Sequence, residues 1–226
     1  MTATTFDFQK HLVEGCTRLG LELGPGAVTR LTLYFVELKR WSAKVNLIAR
    51  GTTDLEIVDK HFLDSLALVP HLMEKDAHLF DVGSGAGFPG LVCKAASPDL
   101  TVTLVEPRLK RVSFLRHVAR TLALDKGVSV VAGRVEEVGP CAEHPYTHIT
   151  SRAVTDLSTF LQLIDHLWLP GTRVLCMKGP KWSEELASCS EEMRSHLEKT
   201  VEYQLPVSGA SRVLLSFKKN MGHDGS

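Results

Sequence analysis

The chain has 226 residues, of which 44% are hydrophobic and 23% are charged, as in ordinary globular proteins of one large or two small domains. Its 26 lysines and arginines equal its 26 aspartates and glutamates, which argues against a protein that coats nucleic acid without selectivity. No apolar stretch is long enough to span a bilayer, so we expect no membrane partner.

The cysteines and the first residues bear on the cellular compartment. The five cysteines are scattered and form no C-x-x-C pair, which is typical of reduced, mostly buried thiols. The first residues contain neither the basic segment nor the apolar core of a secretion signal. The sequence therefore predicts a cytoplasmic protein.

The segment 1–75 shows helical spacing and no convincing strand. Apolar residues that fall on one helical face are Leu31, Tyr34, Phe35, Leu38 and Trp41. A second stretch, 54–73, spaces its apolar residues in the same way, at Val58, Phe62, Leu66 and Val69. We predict that residues 1–75 form a helical N-terminal cap.

From residue 76 to residue 226, strand and helix patterns alternate. The predicted strands cover 78–82, 102–106, 128–132, 147–151, 173–178, 201–205 and 213–217. The predicted helices cover 89–96, 110–124, 156–167 and 184–197. Repeated βα units predict an α/β domain with a doubly wound, mostly parallel sheet. The last two strands have only a turn between them, so we expect them to pair antiparallel.

A glycine-rich turn follows the first predicted strand, in Asp81-Val82-Gly83-Ser84-Gly85-Ala86-Gly87-Phe88-Pro89-Gly90. Glycine lets the backbone turn sharply and lets a ligand lie close to its N–H groups. The spacing matches G-x-G-x-x-G, but Phe88-Pro89 occupies the place where a dinucleotide pyrophosphate needs bare backbone. The acid before the glycines, in a D-x-G-x-G-x-G pattern, instead resembles the first motif of class I methyltransferases, which bind S-adenosylmethionine (SAM).

An acid after the second predicted strand supports an adenosine-type cofactor. Glu106 lies nineteen residues after Gly87, where a carboxylate accepts hydrogen bonds from a ribose. Val135-Glu136 follows the third predicted strand, either beside the adenine or as an ordinary loop entering a short helix. Arg152 leaves the fourth strand, where a cofactor site and a structural ion pair are the alternatives.

Further polar residues fall near the same sheet edge. Lys178 closes the fifth predicted strand, and His61 lies near Asp64 in the cap, where a local hydrogen bond is the simpler interpretation. Basic residues gather after the second strand (Arg108, Lys110, Arg111, Arg116, Arg120) and in the cap (Lys39, Arg40, Lys44, Arg50). These sets indicate either solvated helix faces or a polyanionic substrate. No histidine cluster has metal-ligand spacing, so we predict no metal.

Several motifs of this chain occur together in one known family. They are Lys44-Val45-Asn46-Leu47, His61-Phe62-Leu63-Asp64-Ser65-Leu66, the glycine turn, Lys110-Arg111-Val112-Ser113-Phe114-Leu115, Arg134-Val135-Glu136, Ser151-Arg152-Ala153 and Lys178-Gly179. In this order, over roughly residues 30–180, they resemble the bacterial glucose-inhibited division protein B family of 16S ribosomal RNA guanine-N7 methyltransferases. Glu106 stands where some members carry aspartate, which preserves the carboxylate.

The resemblance implies the class I SAM-dependent methyltransferase fold and a cytoplasmic enzyme that methylates one guanine in the decoding region of the small subunit. The cofactor-binding residues that it and the glycine turn imply are Gly83, Ser84, Gly85, Gly87, Phe88, Glu106, Pro107, Arg108, Val135, Glu136 and Arg152. For the reaction itself, we hypothesise that Arg134 and Arg152 line the site, that Lys178 grips RNA, and that His61 and Asp64 shape the wall on the cap side. Nothing in the sequence demands an obligate protein partner or more than a monomer.

Three alternatives stay open on sequence grounds. A methyltransferase for a protein or a small molecule shares the SAM residues but needs no basic rim. A nicotinamide-dependent dehydrogenase binds NAD and ignores SAM. A ribosome-binding factor that uses SAM structurally binds RNA and cofactor without turnover.

Overall fold

The structure is a computed structural model that describes residues 6–141, 144–152 and 155–219. Ala153 of the Ser151-Arg152-Ala153 motif lies outside these ranges. The chain begins with helices α1 (Phe8–Arg18), α2 (Ala27–Ser42) and α3 (Asp54–Ile57), a π-helical turn (Val58–Leu63), the short helix α4 (Asp64–Leu66) and a 3₁₀ turn (Val69–His71). Between residues 6 and 75 no strand occurs. The buried face of α2 consists largely of the predicted residues, with Leu31, Tyr34, Phe35 and Leu38 in the core.

The rest of the described chain alternates strands and helices. The strands are β1 (His78–Val82), β2 (Thr101–Val105), β3 (Val128–Val131), β4 (His148–Arg152), β5 (Arg173–Lys178), β6 (Leu197–Gln204) and β7 (Ser211–Lys218). The helices are α5 (Gly90–Ala96), α6 (Leu109–Thr121), α7 (Leu157–Leu163), α8 (Trp182–Ala187) and α9 (Glu191–Ser195), and Val135–Glu137 forms a 3₁₀ turn.

The seven strands form one sheet in the order β3-β2-β1-β4-β5-β7-β6. The five strands from β1 to β5 are parallel to one another, whereas β7 pairs antiparallel with both β5 and β6. This confirms the predicted doubly wound, mostly parallel sheet with an antiparallel last pair. The chain leaves β1 toward β2 on one side, and β4 lies on the other side, so the topological switch point falls between β1 and β4.

Two hydrophobic cores cover the two faces of the sheet. Side chains alternate along the strands: Leu175 and Met177 of β5 pack with the N-terminal helices, α5 and α6, whereas Val174 and Cys176 pack with α7. This period of two is what a strand buried on both faces requires. The N-terminal helices therefore share a continuous core with the sheet, and they extend to the edge formed by the carboxyl ends of the parallel strands.

The predicted helix 184–197 is wrong. The structure has two short helices there, α8 and α9, and β6 already begins at Leu197. The side chain of Ser190 accepts a hydrogen bond from Met193 N–H and starts α9 as its N-cap. Pairing of Leu197 with Phe217 of β7 then extends the strand toward the N-terminus. Among the described helices, none is both long and apolar enough to cross a membrane.

Candidate active site

A cavity of about 810 Å³ opens at the carboxyl ends of β1, β2, β4 and β5. This edge, at the switch point of an open α/β sheet, is where such folds bind ligands. The volume lies within the roughly 300–1,000 Å³ of small-molecule sites. Predicted site residues that line it are His61, Asp64, Gly83, Ser84, Gly85, Phe88, Glu106, Pro107, Arg108, Arg152 and Lys178.

The glycine turn and Glu106 hold each other in place. Gly83 and Gly85 have φ values of 68° and 59°, a conformation that glycine adopts without strain. The Gly85 N–H donates to Oε2 of Glu106 at 2.9 Å, and the Arg108 N–H donates to Oε1 at 2.9 Å. A carboxylate has about four acceptor positions. Glu106 therefore keeps capacity for ligand hydroxyls while its orientation is set by the backbone.

Gly87 has a packing role in this turn. Its φ is 89°, and a Cβ atom there would lie 2.2 Å from the Tyr34 hydroxyl oxygen. That hydroxyl, on α2, donates to the carbonyl of Ala86 at 2.5 Å. The Tyr34 ring also stacks on Phe88, with centroids 5.8 Å apart. Helix α2 thus supports the turn from behind, a contact that the helical spacing of Tyr34 alone could not reveal.

Asp81 lies beneath the turn. Its Oδ2 accepts the N–H of Gly90 at 3.0 Å, while its buried Oδ1 has no partner among the described residues. Burial raises the pKa of Asp81 to about 7. The carboxylate is not part of the cavity wall. Asp81 therefore anchors the start of α5 and adds a polar group behind the turn.

Arg152 connects the end of β4 to the N-terminal helices. Its guanidinium donates to the carbonyl of Lys60 at 2.7 Å and to Nδ1 of His61 at 2.9 Å. It also lies over the Phe88 ring, 5.1 Å from the centroid, where a cation is attracted by the ring face. Burial lowers the pKa of Arg152. The residue is thus a half-buried cation with two of its donors engaged, inside the wall of the cavity.

Asp64 gathers three partners from distant parts of the chain. It lies 3.7 Å from the Arg152 guanidinium, accepts from Arg212 at 3.3 Å and accepts from the Tyr203 hydroxyl at 2.9 Å. Burial, followed by the Asp64 charge, raises the pKa of Tyr203 far above its ordinary range. The predicted pair of His61 and Asp64 is therefore part of a network that includes the β6–β7 hairpin. Sequence reasoning missed Arg212 and Tyr203 because no local motif marks them.

Two further cations at the cavity are engaged within the protein. Arg111 donates to the carbonyl of Asn46 at 3.2 Å and lies 3.8 Å from Glu106. Lys178 forms an ion pair with Glu185 at 2.8 Å and donates to the carbonyl of Thr155 at 3.0 Å. The Lys44-Val45-Asn46-Leu47 motif is thus connected to Glu106 through Arg111, and Leu47 itself lines the cavity.

Four predicted site residues do not line this cavity. They are Gly87, Arg134, Val135 and Glu136. Arg134 is exposed at the N-cap of the 3₁₀ turn, and Val135 is buried in the core on the opposite face of the sheet. Glu136 lines a separate shallow cavity beside α7. Arg134, Val135 and Glu136 follow β3, which is the outermost strand of the sheet. They therefore lie to one side of the switch point between β1 and β4.

The residues present fit SAM. Backbone and carboxylate groups of Gly83, Gly85 and Glu106 suit an adenosine, and the buried carboxyl of Asp81, one oxygen of which has no partner among the described residues, lies behind the turn. The described residues contain no group of three or more histidine, cysteine, aspartate or glutamate side chains that could hold a metal. Fold and site together define a class I SAM-dependent methyltransferase.

The comparisons with known proteins agree. A model of the family "rRNA small subunit methyltransferase G" matches residues 27–214. The ribosomal RNA small subunit methyltransferase G of Desulfotalea psychrophila is 53% identical over 215 residues, covering 93% of this chain and 98% of the relative. Its counterpart in Syntrophotalea carbinolica is 37% identical over 218 residues, covering 95% and 99%.

A solved structure shows the same fold at low identity. It is the C-terminal domain of precorrin-6Y C5,15-methyltransferase from Rhodobacter capsulatus, with a TM-score of 0.53 and 17% identity over 76% of this chain and 94% of that chain. The chain belongs to the rRNA small subunit methyltransferase G family, which confirms the resemblance seen in its motifs. It is an enzyme, and SAM is its cofactor.

Proposed function

We propose that this chain transfers the methyl group of SAM to N7 of one guanine in the decoding region of 16S ribosomal RNA. Membership of the family supports the reaction and the RNA. The observation that carries the proposal is the shared cavity, in which the glycine turn and Glu106 face the Arg152–His61–Asp64 network. One side suits a cofactor, and the other suits a nucleobase.

The cofactor side consists of backbone groups and one acid. Gly83, Ser84, Gly85 and Phe88 supply the turn, and Glu106 with Pro107 and Arg108 supplies the ribose end. When bound, SAM supplies an electrophilic methyl group on a sulfonium. Glu106 is fixed by two backbone N–H groups, so it needs no reorganisation to accept ribose hydroxyls.

The base side needs no general base, because guanine N7 keeps its lone pair at neutral pH. The side chains agree with this chemistry. Burial, followed by the charges of Arg152 and Lys60, lowers the pKa of His61 to about 4, and its Nδ1 already accepts from Arg152. Asp64 is occupied by Arg212 and Tyr203. Neither group is free to remove a proton, so rate comes from placement, which can supply roughly 7–11 kcal/mol.

The RNA side is assigned to cations around the cavity. Arginine suits guanine O6 or a flanking phosphate. We assign Arg152 to the wall of the base site, with His61 and Asp64 positioning it. Lys178 lies at the rim, where its ion pair with Glu185 gives it a structural role. Arg134, Val135 and Glu136 remain candidates for the adenine end of the cofactor and its neighbouring RNA. The target guanine must be unpaired or extruded to enter the cavity.

The test is methyl transfer from labelled SAM to small-subunit RNA from cells that lack this gene. Both naked RNA and intact subunits are offered, and the labelled nucleoside is identified. We expect 7-methylguanosine at a single position. Glu106→Gln is a suitable variant, because it keeps the side-chain shape while removing the charge that faces the ribose. Label in another nucleoside, or none in either RNA form while SAM binds, contradicts the proposal.

We further propose that the enzyme acts in the cytoplasm, where small subunits are assembled, and that it acts as a monomer. Sedimentation at the enzyme concentration of the assay tests it, and a dimer that is required for turnover contradicts it.

A further inference from the structure

A second cavity lies on the outer side of the loop that joins α2 to α3. It has a volume of about 320 Å³ and is lined by residues between Lys39 and Thr52. We call it the α2–α3 loop pocket. Leu47 of the same loop lines the large cavity, while its neighbours Asn46 and Ile48 line the pocket. One loop therefore forms a wall of both spaces.

The pocket carries positive charge that nothing in the described chain neutralises. Lys44 and Arg50 line it, are exposed, and form no ion pair with any residue in the described ranges. Lys39 also lines the pocket, but Asp54 is its ion-pair partner, so we do not count it. Two available cations at one small concave site favour an anion.

Unused hydrogen-bond donors add to this charge. The backbone N–H groups of Ile48, Ala49, Arg50 and Gly51 donate to no acceptor among the described residues. Successive free N–H groups in a turn form anion-binding concavities. The Ser42 hydroxyl, which belongs to the same lining, is buried and also lacks a described partner. A buried hydroxyl without a partner is unfavourable, and a ligand or water in the pocket removes that cost.

The position of the pocket identifies the anion. Arg111 donates to the carbonyl of Asn46 and lies beside Glu106, so the loop is tied directly to the cofactor side of the active site. A nucleotide whose base enters the large cavity leaves its neighbours in the chain at the rim. Under the proposed function, their phosphates are the anions that a site on the outer side of this loop would bind.

We propose that the α2–α3 loop pocket binds a backbone phosphate of the RNA next to the nucleotide whose base enters the active site, through Lys44, Arg50 and the loop N–H groups. This rests on the proposed function for its ligand. Phosphate contacts position a nucleic acid without reading its sequence. The pocket therefore sets the register of the RNA and contributes to affinity more than to the chemical step.

The experiment measures RNA binding and methylation as a function of salt, using full-length Lys44→Ala/Arg50→Ala and small-subunit RNA from cells lacking the gene. Two lost contacts to single-stranded RNA reduce the slope of log K against log salt by about 1.4. We expect the KM for RNA to rise about tenfold near physiological salt. The affinity for SAM, measured without RNA, should stay at the wild-type value.

Two controls separate charge from structure. Lys126→Ala removes an exposed lysine at the amino end of β3, whereas the cavity lies at the carboxyl ends of the strands. This variant should leave the salt slope and the KM for RNA unchanged. Lys44→Arg/Arg50→Lys keeps both charges and should retain most of the affinity. A double alanine variant that folds and binds SAM but keeps the wild-type slope and KM overturns the phosphate site.

Failure of the inference is distinguishable from failure of the proposed function. If the wild-type enzyme methylates guanine N7 while the double variant has a wild-type slope, only the phosphate site is wrong. If the wild-type enzyme binds RNA with a slope that the double variant lowers, yet methylates no RNA, the phosphate site stands and the reaction is wrong. If the wild-type enzyme binds none of the RNA, both are wrong.

Discussion

The guanidinium of Arg152 donates to Nδ1 of His61 over 2.9 Å, joining the last residue of β4 to the π-helical turn before α4. Since a guanidinium has only donors, His61 must be a neutral imidazole with its proton on Nε2. The π-helical turn is a rare conformation that is frequent at functional sites. This contact connects the N-terminal helices to the sheet at the cavity that lies between them.

We expect Arg152→Ala to abolish detectable methyl transfer and to lower the free energy of unfolding by about 2 kcal/mol, because charge-assisted hydrogen bonds to Lys60 and His61 are lost. Arg152→Lys keeps the charge but not the forked donors, so it should be intermediate in both respects. Urea unfolding and the labelled-SAM assay measure the two effects.

Arg120→Ala is the matched control for that prediction. Arg120 is exposed on α6 and forms no ion pair with the described residues, so its loss should change stability by less than about 0.5 kcal/mol. We also expect Arg134→Ala, whose side chain does not line the cavity, to lose less activity than Arg152→Ala. Equal losses of methyl-transfer activity in Arg134→Ala and Arg152→Ala would support the prediction from the sequence that Arg134 lines the site.

His61 should make the protein less stable in acid. Its pKa is lowered from 6.5 to about 4, chiefly by burial. Between these two pH values His61 binds a proton in the unfolded chain but not in the folded chain, so stability falls as pH decreases. The loss reaches at most about 3 kcal/mol. His61→Gln, which can still accept from Arg152, should remove this slope in urea titrations from pH 7 to pH 4.

Asp81 should change the stability with pH in the direction opposite to that of His61. Burial raises its pKa from 3.8 to about 7. In this range the folded state holds a proton that the unfolded state has lost, so the contribution of Asp81 to stability falls as pH rises from about 4 to about 7. Asp81→Asn keeps an acceptor for Gly90 N–H and removes the titration. Its stability, relative to wild type, should therefore improve toward pH 7, and a constant difference across the range would contradict the raised pKa.

Gly87 and Tyr34 should be energetically coupled. Gly87→Ala places a Cβ atom 2.2 Å from the Tyr34 hydroxyl oxygen and forces a residue with a side chain to a φ of 89°. We expect a loss of about 3 kcal/mol in unfolding free energy and weaker SAM binding. Removing the hydroxyl in Tyr34→Phe/Gly87→Ala relieves the clash but not the backbone strain. The double variant should be more stable than the sum of the two single changes predicts.

Gly20→Ala provides the comparison for the strain alone. Gly20 has a φ of 66°, and a Cβ atom there would meet nothing within 4 Å. Its substitution should cost about 1 kcal/mol, the price of the backbone conformation without a clash. If Gly87→Ala costs no more than Gly20→Ala, the contact with Tyr34 does not constrain the turn.

Lys178 should act on stability rather than on RNA affinity. Its Nζ is held by Glu185 and by the carbonyl of Thr155, so Lys178→Ala removes a partly buried ion pair. We expect a loss of about 1–2 kcal/mol in unfolding free energy. The salt dependence of RNA binding should be unchanged, in contrast with the α2–α3 loop variants. A smaller salt slope in Lys178→Ala would instead support the direct grip on RNA predicted from the sequence.

Local patterns in the sequence were enough for the fold and for placing the glycine turn and Glu106 at the ends of neighbouring strands. The alternation of strands and helices predicts the parallel sheet. The glycine turn follows β1 and Glu106 follows β2, and they lie close together because neighbouring parallel strands end at one edge of the sheet. The helix prediction at 184–197 failed, since Ser190 starts a new helix and strand pairing claims Leu197. Apolar spacing does not report either event.

The contacts that the charged side chains make depended on the tertiary structure. Asp64 contacts Tyr203 and Arg212, Lys178 contacts Glu185, and Arg134 lies outside the cavity. The sequence predicted instead that Arg134 lines the site with Arg152 and that Lys178 grips RNA. The physical reason is that a long polar side chain is stabilised by whichever partner packing brings near it. Those partners come from elements far apart in the chain, whereas a turn or a strand is specified by residues next to one another.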